Sequence, residues 1–214
     1  MILEFYGLPG TGKSTIVSSL IGADPMISFI PDGKSIAKSR LFKNMLTVEF
    51  VRFYWLSVIL CKKKGHDDVA RGSLKFMLRT YLKYMCLRKD AAIYCNDHGI
   101  YQCLSSLVWE DEKLVEDAVR IAEYVSSKFS DSVLFIFAEN SNFDEVLKRN
   151  VDRNKTRRLG TLKLSDQRKL LSLQRSMFRR FCESGKKHNC TFEIDTMQSV
   201  DHSSNTIIEF IHKV

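Results

Sequence analysis

Short runs of apolar residues recur along the chain at intervals that predict the strands of a parallel sheet. The first run, Ile2–Tyr6, is apolar apart from Glu4, as expected of a strand that helices cover on both faces. Similar runs predict four more strands, at Met26–Ile30, Ala91–Asn96, Ser132–Ala138 and Cys190–Ile194. Because helical stretches separate these runs, we expect a three-layer α/β domain with a five-stranded parallel sheet flanked by helices.

Helical periodicity fills most of the chain between these runs. Helices are predicted at 13–21, 101–108, 112–129, 143–158 and 200–213. Another is predicted at Ser165–Ser184, with Ser165 as its N-cap and Gly185 as its stop. The longest helical stretch, residues 34–89, separates the second and third strands, and insertions of this kind commonly build a pocket for a second substrate. Its aromatic side chains fit a hydrophobic core better than a base-stacking surface: Phe50, Phe53, Tyr54 and Trp55.

Composition narrows the class of protein without naming a function. Hydrophobic residues make up 44% of the chain and charged residues 27%, which is ordinary for one globular domain. The net charge of +8 suits a protein that handles polyphosphates or nucleic acid. The six cysteines form no C-x-x-C pair, and no signal peptide precedes the first strand, so we expect reduced thiols in a cytoplasmic protein. No uninterrupted apolar run is long enough to span a bilayer, and no membrane partner is expected.

The first predicted strand runs directly into the pattern G-x-x-x-x-G-K-S, a phosphate-binding loop (P-loop). Glycines let such a loop turn tightly and aim its backbone N–H groups at phosphate oxygens. Lys13 can reach the β- and γ-phosphates, and the Ser14 hydroxyl can bind Mg²⁺. We therefore predict nucleoside-triphosphate binding through the loop residues Gly7, Gly10, Thr11, Gly12, Lys13, Ser14 and Thr15.

An acidic residue follows the third predicted strand at the edge of the sheet where the P-loop also lies. There Asp97 can hold Mg²⁺ or take a proton from an acceptor hydroxyl, although an aspartate at this position can also simply cap the next helix. Asp32, after the second strand, is an alternative for the acceptor side and can equally make only the turn Pro31-Asp32-Gly33.

Three arginines follow the fourth predicted strand at helical spacing. Arg149, Arg153 and Arg157 stand at i, i+4 and i+8, which places three guanidinium groups along one face of a helix. A salt-bridged surface would also explain them. Phosphoryl transfer gives a better reason, because negative charge builds up on the transferred group and a mobile flap can supply cations while excluding water.

Four segments occur in the order found in thymidylate-kinase-like enzymes, a broad group of nucleoside and nucleoside-monophosphate kinases, and the chain resembles that group over nearly its whole length. They are Gly-Leu-Pro-Gly-Thr-Gly-Lys-Ser-Thr at 7–15, Asn-Asp-His-Gly at 96–99, the arginine segment, and Phe-Glu-Ile-Asp-Thr-Met-Gln-Ser-Val at 192–200. The resemblance implies that 34–89 lies on the acceptor side and that 140–164 forms a lid bearing the arginines. It also implies that the loop with Asp195 and Thr196 lies against the adenine.

Two departures from the group bear on the acceptor. His98 stands where thymidylate kinases carry an arginine that grips the acceptor, and Pro31-Asp32-Gly33 replaces their Glu-Pro-Gly-Gly. Both departures point away from dTMP and favour a nucleoside, another nucleotide, a sugar derivative or another hydroxyl compound. Tyr101 and Gln102, one helical turn beyond Asp97, are candidate acceptor contacts together with Asp32 and His98.

These inferences predict one kinase-like domain over residues 1–214 that uses ATP and Mg²⁺ to phosphorylate a small molecule. Ser14 and Asp97 are the predicted metal ligands, and Lys13, Asp97 and the three lid arginines are the predicted catalytic residues. A nucleotide-binding switch without transfer activity, and an ATPase that acts on nucleic acid or a protein partner, are the alternatives. A GTPase is disfavoured because the N-K-x-D motif for guanine is lacking: Asn154-Lys155-Thr156-Arg157 has arginine at the last position. A homodimer is left open.

Overall fold

The computed structural model describes residues 1–31, 36–65, 68–108, 111–153 and 162–213, apart from the side chains of residues 151 and 153. Within these ranges five parallel strands form one sheet in the order β2-β3-β1-β4-β5. The strands are β1 (Ile2–Tyr6), β2 (Ile27–Phe29), β3 (Ile93–Asn96), β4 (Val133–Glu139) and β5 (Thr191–Asp195). The predicted parallel sheet with helices on both faces is confirmed.

Nine α-helices are found in the described ranges, and three of them, α2 to α4, lie between β2 and β3 as predicted. Their bounds are α1 (Lys13–Ala23), α2 (Lys38–Met45), α3 (Val48–Lys64), α4 (Asp68–Leu87), α5 (Ile100–Val108), α6 (Val115–Phe129), α7 (Phe143–Arg153), α8 (Leu164–Lys186) and α9 (Val200–Ile211). A short 3₁₀ turn, Glu112–Leu114, leads into α6.

Side-chain alternation along β1 divides the core into two layers. Ile2 and Tyr6 face a large cluster with α3 to α6 and α8, whereas Leu3 and Phe5 face a smaller cluster with α1 and α9. The helix after β1 therefore covers one face of the sheet, and α5, after the neighbouring strand β3, covers the other. Loops that leave adjacent strands toward opposite faces open a crevice at the carboxyl ends of those strands. This topology predicts a ligand site between β1 and β3.

Helix α8 departs from the sequence-based expectation at both ends. Lys163, not Ser165, occupies its N-cap position, and the helix continues through Gly185 to Lys186. A Cβ atom at Gly185 would lie 1.7 Å from Oγ1 of Thr191 at the start of β5. The glycine is thus required by close packing of helix on strand and does not end the helix.

Burial of individual residues agrees in part with the sequence-based expectations. All six cysteines are free and buried. In the aromatic stripe of α3, Phe50 and Phe53 are core residues, but Tyr54 and Trp55 are exposed. In the described parts of the chain, no single helix is long and apolar enough to cross a bilayer; α2 and α3 meet that criterion only as a pair, with a bend of 75° between them.

Candidate functional site

The loop between β1 and α1 has the backbone conformation that its glycines permit. Gly7, Gly10 and Gly12 have φ values of 144°, 84° and 88°. A side chain at Gly7 is excluded by contact as well as by conformation, because a Cβ atom there would lie 2.2 Å from the carbonyl oxygen of Ala138 at the end of β4. The loop therefore passes close over the carboxyl edge of the sheet.

Polar side chains of the loop bond to its own backbone. Lys13 Nζ donates to the carbonyl oxygens of Gly7 and Leu8 at 2.9 and 2.8 Å. The buried Thr11 hydroxyl also donates to the Leu8 carbonyl, at 2.9 Å. These bonds curl the loop around the ammonium group of Lys13. Ser14 and Thr15 follow in the first turn of α1, whose positive dipole end adds to the attraction for an anion.

Asp97, directly after β3, meets this loop. The Ser14 hydroxyl donates to Asp97 Oδ2 at 3.0 Å, although 83 residues separate the two in sequence. A hydroxyl and a carboxylate in contact provide two oxygen ligands of the kind that Mg²⁺ binds when phosphate oxygens complete its coordination. The side chains predicted as metal ligands thus lie together, and their donor atoms fit a magnesium ion.

A cleft of about 430 Å³ lies over this pair. Its walls come from the P-loop, the start of α1 and the residues after β3: Pro9, Gly10, Gly12, Lys13, Ser14, Thr15, Asp97, His98 and Gln102. The crevice predicted from the strand order therefore contains the P-loop, both predicted metal ligands and two of the predicted acceptor contacts.

His98 contributes an exposed side chain whose ring packs edge-on against Phe76, with centroids 5.1 Å apart. Loss of water around the packed ring lowers the pKa of His98, the nearby Lys13 ammonium lowers it further, and Asp97 opposes both effects. The lowered pKa favours the neutral imidazole at neutral pH.

Gln102 and Tyr101 are neighbours in sequence but point in different directions. Gln102 lines the cleft at 8% exposure, and among the described residues its buried Oε1 has no hydrogen-bond partner. Tyr101 is fully buried, stacks on Phe135 with ring centroids 4.3 Å apart, and bonds to Ser126 and the Ala122 carbonyl. The expectation that Tyr101 contacts an acceptor is therefore corrected, because its side chain belongs to the core beneath the sheet.

Helix α7, the first part of the predicted lid, contacts the P-loop directly. Arg149 donates to the Gly10 carbonyl at 3.3 Å and pairs with Glu145. Asn150 donates to the Pro9 carbonyl at 2.6 Å and to the Val146 carbonyl at 2.8 Å. Sequence reasoning missed Asn150, although a polar residue on the buried face of an amphipathic helix could have indicated it.

Other predicted site residues lie elsewhere or outside the described part. Asp32, Arg157 and the side chain of Arg153 fall outside the described residues. Asp195 is the last residue of β5 and Thr196 follows it, at the same edge of the sheet as the P-loop. Asp195 Oδ1 accepts from Met197 N at 3.0 Å, and Thr196 N donates to the Glu139 carbonyl at 2.8 Å, which ties this loop to β4.

Glu139, at the end of β4, also holds α8 in place. Its Oε1 accepts from Arg175 at 2.6 Å and from Arg179 at 2.8 Å, and the Arg175 guanidinium lies 5.6 Å from the ring centre of Phe143, the first residue of α7. Sequence reasoning missed this group, which anchors the base of the predicted lid.

Of three comparisons with known proteins, only the comparison with solved structures found matches. No protein-family model and no curated protein sequence matches the chain. The fold is similar to solved structures of deoxyadenosine kinase from M. mycoides: one with the products dCMP and a flexible dCDP bound (TM-score 0.58, 13% identity), one with dCTP (0.56, 13%) and one with dATP (0.55, 14%). These matches cover 99–100% of this chain and 100% of those chains. The chain therefore has the fold of a P-loop nucleoside kinase.

Proposed function

We propose that this protein is an ATP- and Mg²⁺-dependent kinase that transfers the γ-phosphoryl group to a hydroxyl of a nucleoside. The observation that carries the proposal is the Ser14–Asp97 contact beside the P-loop, which brings a metal site and a carboxylate to one wall of a cleft. The full-length likeness to deoxyadenosine kinase supports a nucleoside as the acceptor. The resemblance of sequence motifs to thymidylate-kinase-like enzymes supports the same chemistry.

Each side chain at the site has a role that its position supports. Lys13 and the loop amides hold the triphosphate, while Ser14 and Asp97 provide ligands for magnesium. When bound, Mg²⁺ neutralises charge on the phosphate oxygens. Asp97 also stands where it can accept the proton of the attacking hydroxyl.

Residues of the predicted lid and of the loop after β5 complete the proposed ATP-binding side of the site. Arg149, already in contact with the P-loop, supplies positive charge to the transferred group, and we assign the same role to Arg153 and Arg157. Asp195 and Thr196, at the edge where β5 ends, are proposed to face the adenine of ATP.

The electrostatics of the acceptor side favour a neutral nucleoside over a nucleotide. The lowered pKa of His98 favours its neutral form at neutral pH, in which the ring offers an acceptor a hydrogen bond but no positive charge. The unpartnered Oε1 of Gln102 can accept a hydrogen bond from a hydroxyl or amino group of the acceptor. We also propose Asp32 as an acceptor contact, because it follows the second strand in the sequence.

Acceptor-stimulated ADP release tests this function directly. We expect slow release with Mg·ATP alone and a rise of at least tenfold with one member of a panel of deoxyadenosine, deoxycytidine, deoxyguanosine, thymidine and their monophosphates. Mass spectrometry of the products should show one added phosphate. Stimulation by DNA or RNA but by no panel member would indicate a nucleic-acid ATPase, and ATP binding with no stimulation would indicate a nucleotide-binding switch.

Helix α3 supports a proposal about assembly, namely a homodimer. Its exposed face carries an apolar stripe at i, i+3, i+7 and i+11: Val48, Val51, Trp55 and Ile59. Glu49 lies in its first turn and Lys62–Lys64 in its last. Antiparallel packing of α3 on the same helix of a second copy would cover the stripe and bring opposite charges together.

Substitution within the stripe tests the dimer. We expect the unchanged protein to be dimeric by light scattering and Trp55→Glu to be monomeric, because a carboxylate would have to be buried between the helices. Met26→Glu, at another exposed apolar position, is the control and should remain dimeric. A monomeric unchanged protein would contradict the proposal.

A further inference from the structure

A carboxyl group lies buried in the centre of the sheet. Glu4, in the middle of β1, is 0% exposed and shares its face of the sheet with Ile2 and Tyr6. Burial raises the pKa of this carboxyl to about 7, while hydrogen bonds from Tyr84 and the start of α5 oppose that rise. Burying an ionisable group in a strand that could be wholly apolar costs free energy. The hydrogen-bond partners of Glu4 therefore indicate its role.

The partners of Glu4 surround the Asp97 turn, which we define as Asp97–Gly99 between β3 and α5. On the far side of the turn, Glu4 Oε1 accepts from the backbone N–H of Tyr101 at 2.7 Å. This bond places a carboxylate at the N-terminus of α5, where the helix dipole favours negative charge.

A second chain of contacts reaches the near side of the Asp97 turn through Tyr84 of α4. The Tyr84 hydroxyl donates to Glu4 Oε2 at 2.5 Å and accepts from Asn96 Nδ2 at 2.9 Å. Asn96 Oδ1 in turn accepts from the backbone N–H of His98 at 3.3 Å. Both sides of the turn are thus connected to one carboxyl group.

The backbone of the turn also lies directly against this carboxyl. A Cβ atom at Gly99 would stand 2.1 Å from Cδ of Glu4, so the turn can approach the carboxyl only because residue 99 is glycine. Hydrogen bonds and packing together leave little freedom for the residues between Asn96 and Tyr101.

We propose that Glu4 is a positioning residue that, with Tyr84, sets the place of the Asp97 turn and so of the Asp97 carboxylate facing Ser14. The proposal rests on the proposed kinase function for its consequence on rate. Glu4 touches no substrate and acts through the turn. Tyr84 also connects the helical insertion, the proposed acceptor side, to the residues that carry out transfer.

The expected effect follows from the geometry of phosphoryl transfer. A displacement of about 1 Å in a reacting group can lower a rate by about 100-fold, and loosening one tether should displace it by less. We therefore expect at least a tenfold fall in kcat for Tyr84→Phe, which removes only the hydroxyl. Glu4→Gln should also lower kcat. The glutamine amide has only one acceptor oxygen, whereas both the Tyr84 hydroxyl and the Tyr101 N–H donate to Glu4. The P-loop contacts are unchanged, so KM for ATP should stay within twofold.

Tyr81→Phe is the matched control. Tyr81 lies one turn earlier on α4, is as fully buried as Tyr84, and has no hydrogen bond to the Glu4 group. Loss of the Tyr81 hydroxyl should leave kcat unchanged. Transfer is measured with Mg·ATP and the fastest acceptor among deoxyadenosine, deoxycytidine, deoxyguanosine and thymidine. A rate for Tyr84→Phe and Glu4→Gln equal to that of the unchanged, active protein would overturn the positioning role.

Amide hydrogen exchange tests the same proposal without any activity. Mass spectrometry should find faster exchange in residues 97–101 for Tyr84→Phe than for Tyr81→Phe, with equal exchange in the P-loop peptide. Equal exchange in residues 97–101 would refute positioning even if the protein proved not to be a kinase. If residues 97–101 exchange faster in Tyr84→Phe but the unchanged protein transfers no phosphate to any acceptor, the kinase function is refuted. The positioning role of Glu4 and Tyr84 is then still supported.

Discussion

Lys13→Ala is expected to weaken ATP binding by at least 100-fold and to abolish measurable turnover. The Lys13 ammonium lies at the centre of the P-loop, within hydrogen-bond distance of two of its carbonyl oxygens, where a triphosphate would meet it. Each charge-assisted hydrogen bond to phosphate contributes about 1.5–3 kcal/mol, and two such bonds account for a loss of this size. Calorimetric titration with Mg·ATP measures the affinity directly.

Lys213→Ala, which removes the same charge from an exposed position just beyond α9, is the control for Lys13→Ala and should bind ATP normally. Circular dichroism should show both variants folded. An affinity of Lys13→Ala within threefold of the unchanged protein would mean that the P-loop does not hold the triphosphate, and the proposed function would fail with it.

Asp97→Asn is expected to spare ATP binding and to lower phosphoryl transfer by about 1,000-fold. An amide of the same shape can still accept the Ser14 hydrogen bond, but it cannot take a proton and is a weaker ligand for magnesium. General-base catalysis alone contributes about 100- to 10,000-fold. Single-turnover transfer measures the chemical step, and Asp131→Asn, in an exposed turn, is the control with unchanged rate.

The magnesium dependence of Asp97→Asn separates the two roles open to this carboxylate. If Asp97 acts through the metal alone, saturating Mg²⁺ should restore most of the lost rate. If Asp97 is the base, the rate should stay low at every magnesium concentration. Transfer at the normal rate in Asp97→Asn would exclude both roles.

Local patterns predicted the elements of the sheet well. The bounds of β1 agree with the prediction at both ends, because a run that is apolar apart from Glu4 and leads into a glycine-rich loop has few other interpretations. The bounds of α8 were wrong at both ends. Gly185 lies inside that helix because of its packing on Thr191, and sequence position alone does not reveal that contact.

Tyr101 and Gln102 were predicted to have the same role, but their positions around helix α5 differ. Tyr101 and Gln102 both follow Asp97 at a distance that suits an acceptor contact. One residue along a helix is a rotation of about 100°, so only one of the two can face the cleft. The structure places Gln102 there and buries Tyr101 against Phe135.

The sequence by itself determined the P-loop and the parallel α/β class, because glycine spacing and apolar runs act over short stretches of chain. Only the tertiary structure decided which distant residues meet. Ser14 reaches Asp97 because β1 and β3 are adjacent strands, and Glu4 reaches Tyr84 and Tyr101 because helices on one face of the sheet close over it. Strand order and helix packing arise from burial of the whole chain, which no local pattern records.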